Sequence, residues 1–351
     1  MAYTTIDNPE LYFNTKLYTG NGGTQHSITG VGFQPDWTWI KSRDDAYNHF
    51  LFDAVRGVGK QIYSNLTNAE ATNMNNLYSF NADGFSLAQS ANDDVTNKNN
   101  SNFASWNWKA GGSASSNSNG SVTTSVSANT TAGFSVVNVP TTGSVLTAGH
   151  GLSQAPEIIF EKSRDRSDNW IVYNYSIGNT KALFLNLANA NSTATDFFND
   201  TSPTSTVWTM GSENSVNNAS QETIAYCFHS VKGYSRISNY VGNGATNGPV
   251  VYCGFKPAWV LIKNVEVAEQ WRIYDNKRDP FNHMFRCLFP NANNGENTTD
   301  NQSEEIDFLA TGFKIRSDSR QLNGSGQKLI YMAFAEAPLV TGASAIPTTA
   351  R

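Results

Sequence analysis

The sequence predicts an all-β protein made of three tandem antiparallel β-sandwich units. Three observations carry that expectation: one segment written three times, fixed offsets around it, and turn residues too frequent for long helices. The segments are residues 35–41, 156–162 and 257–263. A proline opens each (Pro35, Pro156, Pro257), apolar residues follow, and a lysine closes it (Lys41, Lys162, Lys263). Proline has no N–H, so it suits the first residue of a strand and suits its interior badly. The apolar run reads as a strand buried on both faces. Gly22, Gly143 and Gly244 stand thirteen residues before the prolines, and His49, Trp170 and Trp271 stand eight after the lysines. The pairs Phe52-Asp53, Tyr173-Asn174 and Tyr274-Asp275 follow at eleven and twelve. Three offsets that agree in three places make an internal repeat.

Taken in order, residues 1–16 precede the repeat and read as an N-terminal arm. Unit one spans 17–110, unit two 131–236 and unit three 237–338, each near the common domain size. Between units one and two, residues 111–130 are almost entirely Gly, Ser, Asn, Thr and Ala, the composition of a flexible linker. Residues 339–351 read as an extended tail. Each unit opens on a turn, Asn21-Gly22 and Asn243-Gly244 being strong turn signals. After the Pro-to-Lys strand comes a second strand, represented by Trp271-Arg272-Ile273-Tyr274, whose alternation predicts half exposure. A third strand is expected at residues 61–64, 182–185 and 287–289, followed by variable Asn/Thr-rich loops. Two more strands close each unit, the last carrying Trp106-Asn107-Trp108, Tyr226-Cys227-Phe228 or Met332-Ala333-Phe334. A polar hairpin tip is expected between them, at residues 91–102 in unit one. About six short strands favour a sandwich; a propeller blade needs about four, and three blades would not close well.

Charged residues make up 15% of the chain and the net charge is −5, without a basic run, which argues against nucleic-acid binding. No apolar stretch is long enough for a membrane span, and the N-terminus lacks a signal-peptide pattern. Cys227, Cys253 and Cys287 are odd in number and lack metal-ligand spacing, so buried thiols are expected.

Catalytic signatures are missing: there is no nucleophile elbow, zinc-protease motif, phosphate loop or dinucleotide fingerprint. His26, His49, His150, His229 and His283 occupy non-equivalent positions in the repeats, and such histidines are more often structural than catalytic. Asp44-Asp45, Asp93-Asp94 and Glu304-Glu305 are acidic pairs, which on polar loops are usually solvated. Residues 165–169 (Asp165-Arg166-Ser167-Asp168-Asn169) and 92–94 could hold a hard cation through oxygen ligands, but neither has the spacing of a calcium loop. The recurrent lysine is expected to pack its stem while its ammonium reaches water or a carboxylate. Trp170 and Trp271 could stack a sugar ring, although a strand tryptophan in a sandwich is more often buried. No catalytic, metal or cofactor residue is therefore assigned, and ligand-binding residues stay unassigned.

The repeats do resemble a known family. Tyr18-Thr19-Gly20-Asn21-Gly22, residues 32–43 from Gly32-Phe33-Gln34-Pro35 onward, Trp106-Asn107-Trp108-Lys109-Ala110-Gly111-Gly112 and Ile306-Asp307-Phe308-Leu309 are similar to tandem-repeat proteins of marine tailed phages. The resemblance implies jelly-roll or concanavalin-like sandwiches in a virion, tail or fibre protein, and no catalytic residues come with it. The implied role is a structural protein on the outside of the particle, a tail fibre or adhesion component that could contact host-surface glycans. A capsid decoration protein and a tail-borne glycan depolymerase are the alternatives. Other virion proteins are the implied partners, with a homotrimer favoured. The apolar cluster Leu11-Tyr12-Phe13 suggests that residues 1–16 attach the chain to a neighbour, or else fold back onto unit one.

Overall fold

The computed structural model describes residues 4–88, 96–299 and 302–340. The expected tip at 91–102 falls partly outside the described residues, and the tail mostly so. The protein is all-β, with antiparallel sheets stacked as sandwiches. The first main sheet has the order β1 (Phe13–Thr19), β9 (Asn102–Trp108), β3 (Trp37–Ser42), β4 (Phe50–Asp53), β5 (Lys60–Tyr63), β6 (Ala71–Thr72). The second begins with β10 (Ser115–Asn117), β11 (Thr124–Asn129), β12 (Phe134–Pro140) and β19 (Glu222–Phe228). It continues with β14 (Ile158–Ser163), β15 (Ile171–Asn174), β16 (Lys181–Phe184) and β17 (Ser192–Thr193). The third runs β20 (Ser235–Val241), β26 (Lys328–Pro338), β22 (Phe255–Asn264), β23 (Arg272–Asp275).

A smaller sheet covers one face of each. These are β2 (His26–Thr29), β8 (Gly84–Leu87), β7 (Leu77–Asn81); β13 (Leu146–Gly149), β18 (Val207–Met210); and β21 (Val250–Tyr252), β25 (Gly312–Ile315), β24 (Ile306–Leu309). The cores between large and small sheets are separate, for example Ile28, Ile40, Phe50, Phe85 and Phe103 in the first. The opposite faces of all three large sheets share one core. There Trp37, Trp108, Phe134, Phe228, Trp259 and Phe334 meet, with Trp37 and Tyr226 stacked at 4.4 Å and Trp108 edge-on to Trp259 at 5.6 Å. Burial on both faces of the Pro-to-Lys strands follows directly: each strand contributes to its own sandwich and to the shared core.

The glycines thirteen residues before the prolines have one local cause. Gly22, Gly143 and Gly244 adopt φ of +58°, +75° and +68°, a region that penalises a Cβ. A fully buried asparagine holds each of these turns: Asn97 Oδ1 accepts from Asn21 N, Asn217 Oδ1 from Thr142 N, and Asn323 Oδ1 from Asn243 N.

Several expectations need correction. Residues 111–130 are no flexible linker, because β10 and β11 extend the second sheet beyond β12. Small and hydroxyl residues suffice there: Val126 is the one large apolar side chain that β11 buries, and the buried Ser127 on its other face accepts from Gly111 N. The arm is not free either: Phe13 begins β1 and is 1% exposed, packed on Phe334 at 4.9 Å and Trp108 at 5.0 Å. Leu11 alone of its cluster stays exposed. Pro257 lies inside β22 rather than at its start, and the pairing with β26 shifts on either side of it, as its missing N–H requires. The strand β23 is buried throughout instead of half exposed, since Arg272 also faces the interior. In the third sheet, Leu288 makes only an isolated bridge to Ile273 where a third strand was expected.

Candidate functional site

The recurrent lysines are the first surprise. Lys41, Lys162 and Lys263 are fully buried, and their ammonium groups reach neither water nor a carboxylate. Lys41 Nζ donates to Ser42 O and Asp45 O at 2.7 and 3.0 Å; Lys162 Nζ donates to Ser163 O and Arg166 O at 2.7 and 2.8 Å. Lys263 Nζ donates to Glu269 O at 2.7 Å and to Ala188 O, across the seam to the second sheet, at 3.0 Å. Burial presses Lys41 and Lys263 down to about 7 and Lys162 to about 8. The carbonyl acceptors oppose that shift by hydrogen-bonding the charged form. Each lysine closes the loop that follows its strand.

Trp170 and Trp271 are likewise interior and offer no sugar platform. Trp170 Nε1 donates to Tyr63 O of the first sheet (2.8 Å), and Trp271 Nε1 to Phe184 O of the second (2.9 Å). His49, at the equivalent position, accepts from Trp39 Nε1 at 2.9 Å, and burial drives its pKa far down.

These contacts belong to three seams through which the large sheets join pairwise. Main-chain bonds mark each one: Glu70 N to Arg164 O, Asn191 N to Val265 O, and Glu296 N to Arg43 O, at 2.7, 2.8 and 2.6 Å. Two seams are charged. Between sheets one and two, Asp53 takes Arg56 Nε at 2.5 Å and Tyr226 Oη–H at 2.7 Å, while Glu70 binds Arg164 through both oxygens. Between sheets three and one, Asp275 takes Arg278 Nε at 2.5 Å and Trp106 Nε1 at 3.0 Å, and Glu296 binds Arg43 through both oxygens. Burial opposes the charge of Arg56, but Asp53, Tyr226 and Glu70 outweigh it and raise its pKa. At the third seam no ion pair crosses: Asn191 N and Nδ2 both donate to Val265 O, Ile177, Val265 and Met332 belong to the shared core, and Lys263 and Lys328 donate across it to the carbonyls of Ala188 and Ser176. Sequence reasoning missed the seams, although the recurring aspartate or asparagine twelve residues after each lysine was their trace.

Among the described residues, no other residue singled out from the sequence assembles a reactive centre. His26 bonds Asn97 at 2.6 Å, His150 is buried with its pKa lowered to about 4, and His229 is buried. His283 meets Asp307 at 2.7 Å, and the second oxygen of Asp307 is held by Arg316. Asp44 accepts from Asn102 N and Asp45 from Lys98 Nζ and Ser101 Oγ. Glu304 accepts from Asn297 Nδ2 at 2.7 Å. In the 165–169 loop Asp165 caps Glu222 N, Asp168 pairs with Arg166, and Asn169 bonds Asn186. Asp93 and Asp94 lie outside the described residues. Cys227, Cys253 and Cys287 are buried free thiols. Among the described residues no group of three or more His, Cys, Asp or Glu could hold a metal, and no helix is long and apolar enough to cross a membrane.

Two open clefts flank β10 and β11, one against the loops before β3 and after β9 and one along β10 itself. One, of about 450 Å³, is lined by Gln34, Asp36, Lys109, Asn129 and Thr130. A second, of about 390 Å³, is lined by Ser115, Asn117 and Asn119, and Gly111 and Ala128 border both. Asp36 anchors the first: burial raises its pKa, while the Ala110 and Gly112 N–H groups bond it at 2.7 and 3.1 Å. The hydroxyl and amide lining can exchange hydrogen bonds with a neutral polyhydroxy ligand. Reading this stretch as a linker concealed it.

Sandwiches, seams and polar clefts together define an all-β protein whose sheets are bound into one body. The chain belongs to the family described as Domain of unknown function (DUF7483), whose model matches residues 8–338. No curated protein sequence matches it.

Proposed function

We propose that the chain is a structural protein on the outer surface of a tailed-phage particle, a tail-fibre or adhesion component. The supporting observation is the pairwise joining of three like-ordered sheets around one aromatic core, a rigid knob that leaves loops and clefts free to face outwards. The polar clefts at 109–130 are then the surface offered to host glycans.

A second reading, a head decoration protein, draws on the same joining. Three similar units closed on one another within one chain approximate a threefold knob, suited to a local threefold of a shell without further oligomerisation. Immunogold labelling of purified particles tests both: label at tail tips supports the fibre role, label over the head supports decoration, and particles lacking the chain overturn both. Glycan-array binding that is lost on Asn117→Ala with Asn119→Ala, at unchanged melting temperature, would add adhesion to the structural role.

A further inference from the structure

We propose that the contact between the first and third sheets is a binding site for one buried water, which bridges Thr15 Oγ1 on β1 to Asn276 Oδ1 in the turn after β23. Both residues are nearly inaccessible, Thr15 at 5% exposure and Asn276 at 4%. Neither atom has a hydrogen-bond partner among the described residues. The orientation of the Asn276 amide is set by its neighbour, since Nδ2 donates to Glu336 Oε2 at 2.6 Å and a carboxylate accepts only from a donor. Oδ1 is therefore an acceptor in need of a proton, and a water supplies it.

The space fits that occupant. Thr15 and Asn276 line the same small cavity, walled elsewhere by Phe13, Ala258 and Ala335, with a volume of about 10 Å³. A cavity of roughly 10–15 Å³ holds a single water where polar partners are present, whereas a purely apolar one stays dry. Glu10 and Lys277 also border it and pair with each other at 3.2 Å, joining the first unit to the third at the same place.

The register of the repeats shows that this polarity is particular to one seam. Thr15 stands opposite Trp106, as Val136 stands opposite Tyr226 and Ile237 opposite Met332. Val136 and Ile237 are apolar members of the shared core. Asn276 follows the seam residue Asp275, whereas Ala54 and Tyr175 follow Asp53 and Asn174. The hydroxyl and the amide thus replace other side chains together, where the third sheet returns to the first. A buried oxygen left unpaired is costly, and one bridging water satisfies both. The inference stands whether or not the chain belongs to a virion.

A high-resolution crystal structure of the full chain provides the direct test. One isolated density peak within about 2.5–3.0 Å of both oxygens is expected. A cavity without density overturns the proposal, and so does a peak that rubidium replaces on soaking, which would mark a cation. Thr15→Val keeps the shape of the side chain but removes one end of the bridge. The peak should then vanish, and the melting temperature should fall by a few degrees because Asn276 Oδ1 is stranded. In a dry cavity the same change would delete an unpaired hydroxyl and raise the melting temperature. An unchanged or raised melting temperature, or a peak that survives Thr15→Val, therefore refutes the bridge. Thr15→Ser retains the hydroxyl and should keep the peak; its loss there would also count against the assignment.

Discussion

Glu161 lies fully buried on β14; its Oε1 accepts from Trp208 Nε1 at 2.7 Å, and its Oε2 has no partner. Burial raises its pKa to about 8. The folded chain therefore holds a proton there that the unfolded chain releases near pH 4.5, and stability falls as pH rises through that window. Glu161→Gln should flatten the decline, so the melting-temperature difference between variant and wild type should grow from pH 5 to pH 8. A constant difference would contradict the burial argument. The lysines act in the opposite sense: their lowered pKa values favour the folded state as pH rises above about 7 or 8. Replacing one removes donors from buried carbonyls, so Lys162→Met should cost about 2–4 kcal/mol in urea unfolding.

At the scale of elements, the seams can be read as interchangeable solutions to one packing problem. Breaking the buried pair with Arg56→Met leaves Asp53 uncompensated and should cost about 3–5 kcal/mol. Importing the neutral pair of the third seam, Asp53→Asn with Arg56→Ile, should recover most of that loss. Chemical denaturation of both variants checks this, and a double variant no better than the single would refute the equivalence. The all-β sandwich character and the Pro-to-Lys strands were legible because apolar runs and turn residues are local signals. The glycine turns were legible for the same reason. What escaped is set by distant partners: nothing around Lys41 announces backbone acceptors, and nothing around Trp170 announces Tyr63 O. The strands β10 and β11 escaped because Ser- and Asn-rich composition describes a loop as well as it describes a strand that buries a single large apolar side chain, Val126. Of the candidate clefts, therefore, almost nothing could be read in advance.

For the molecule as a whole, the shared core decides what can fold alone. Residues 131–236 were expected to form a β-sandwich unit of common domain size, and Phe134 and Phe228 of that unit project into rings from the other two sheets. That fragment would expose large aromatic faces, each costing about 1.5–3 kcal/mol. Expressed by itself it should lack a cooperative thermal transition, whereas the full chain should unfold in one step; circular dichroism on both distinguishes the outcomes. The seams carry a last consequence. Each joins two different faces: in two of them the tryptophan side of one sheet meets the carbonyl side of the next, and in the third Arg43 of the first sheet meets Glu296 beside the third. Such head-to-tail contacts close only because the third sheet returns to the first through Arg43 and Glu296. A chain truncated before the third sheet would retain one sticky face of each kind, and nothing within it could satisfy them. Such a truncation should therefore self-associate head to tail, which light scattering on residues 1–236 would detect and a monodisperse monomer would refute.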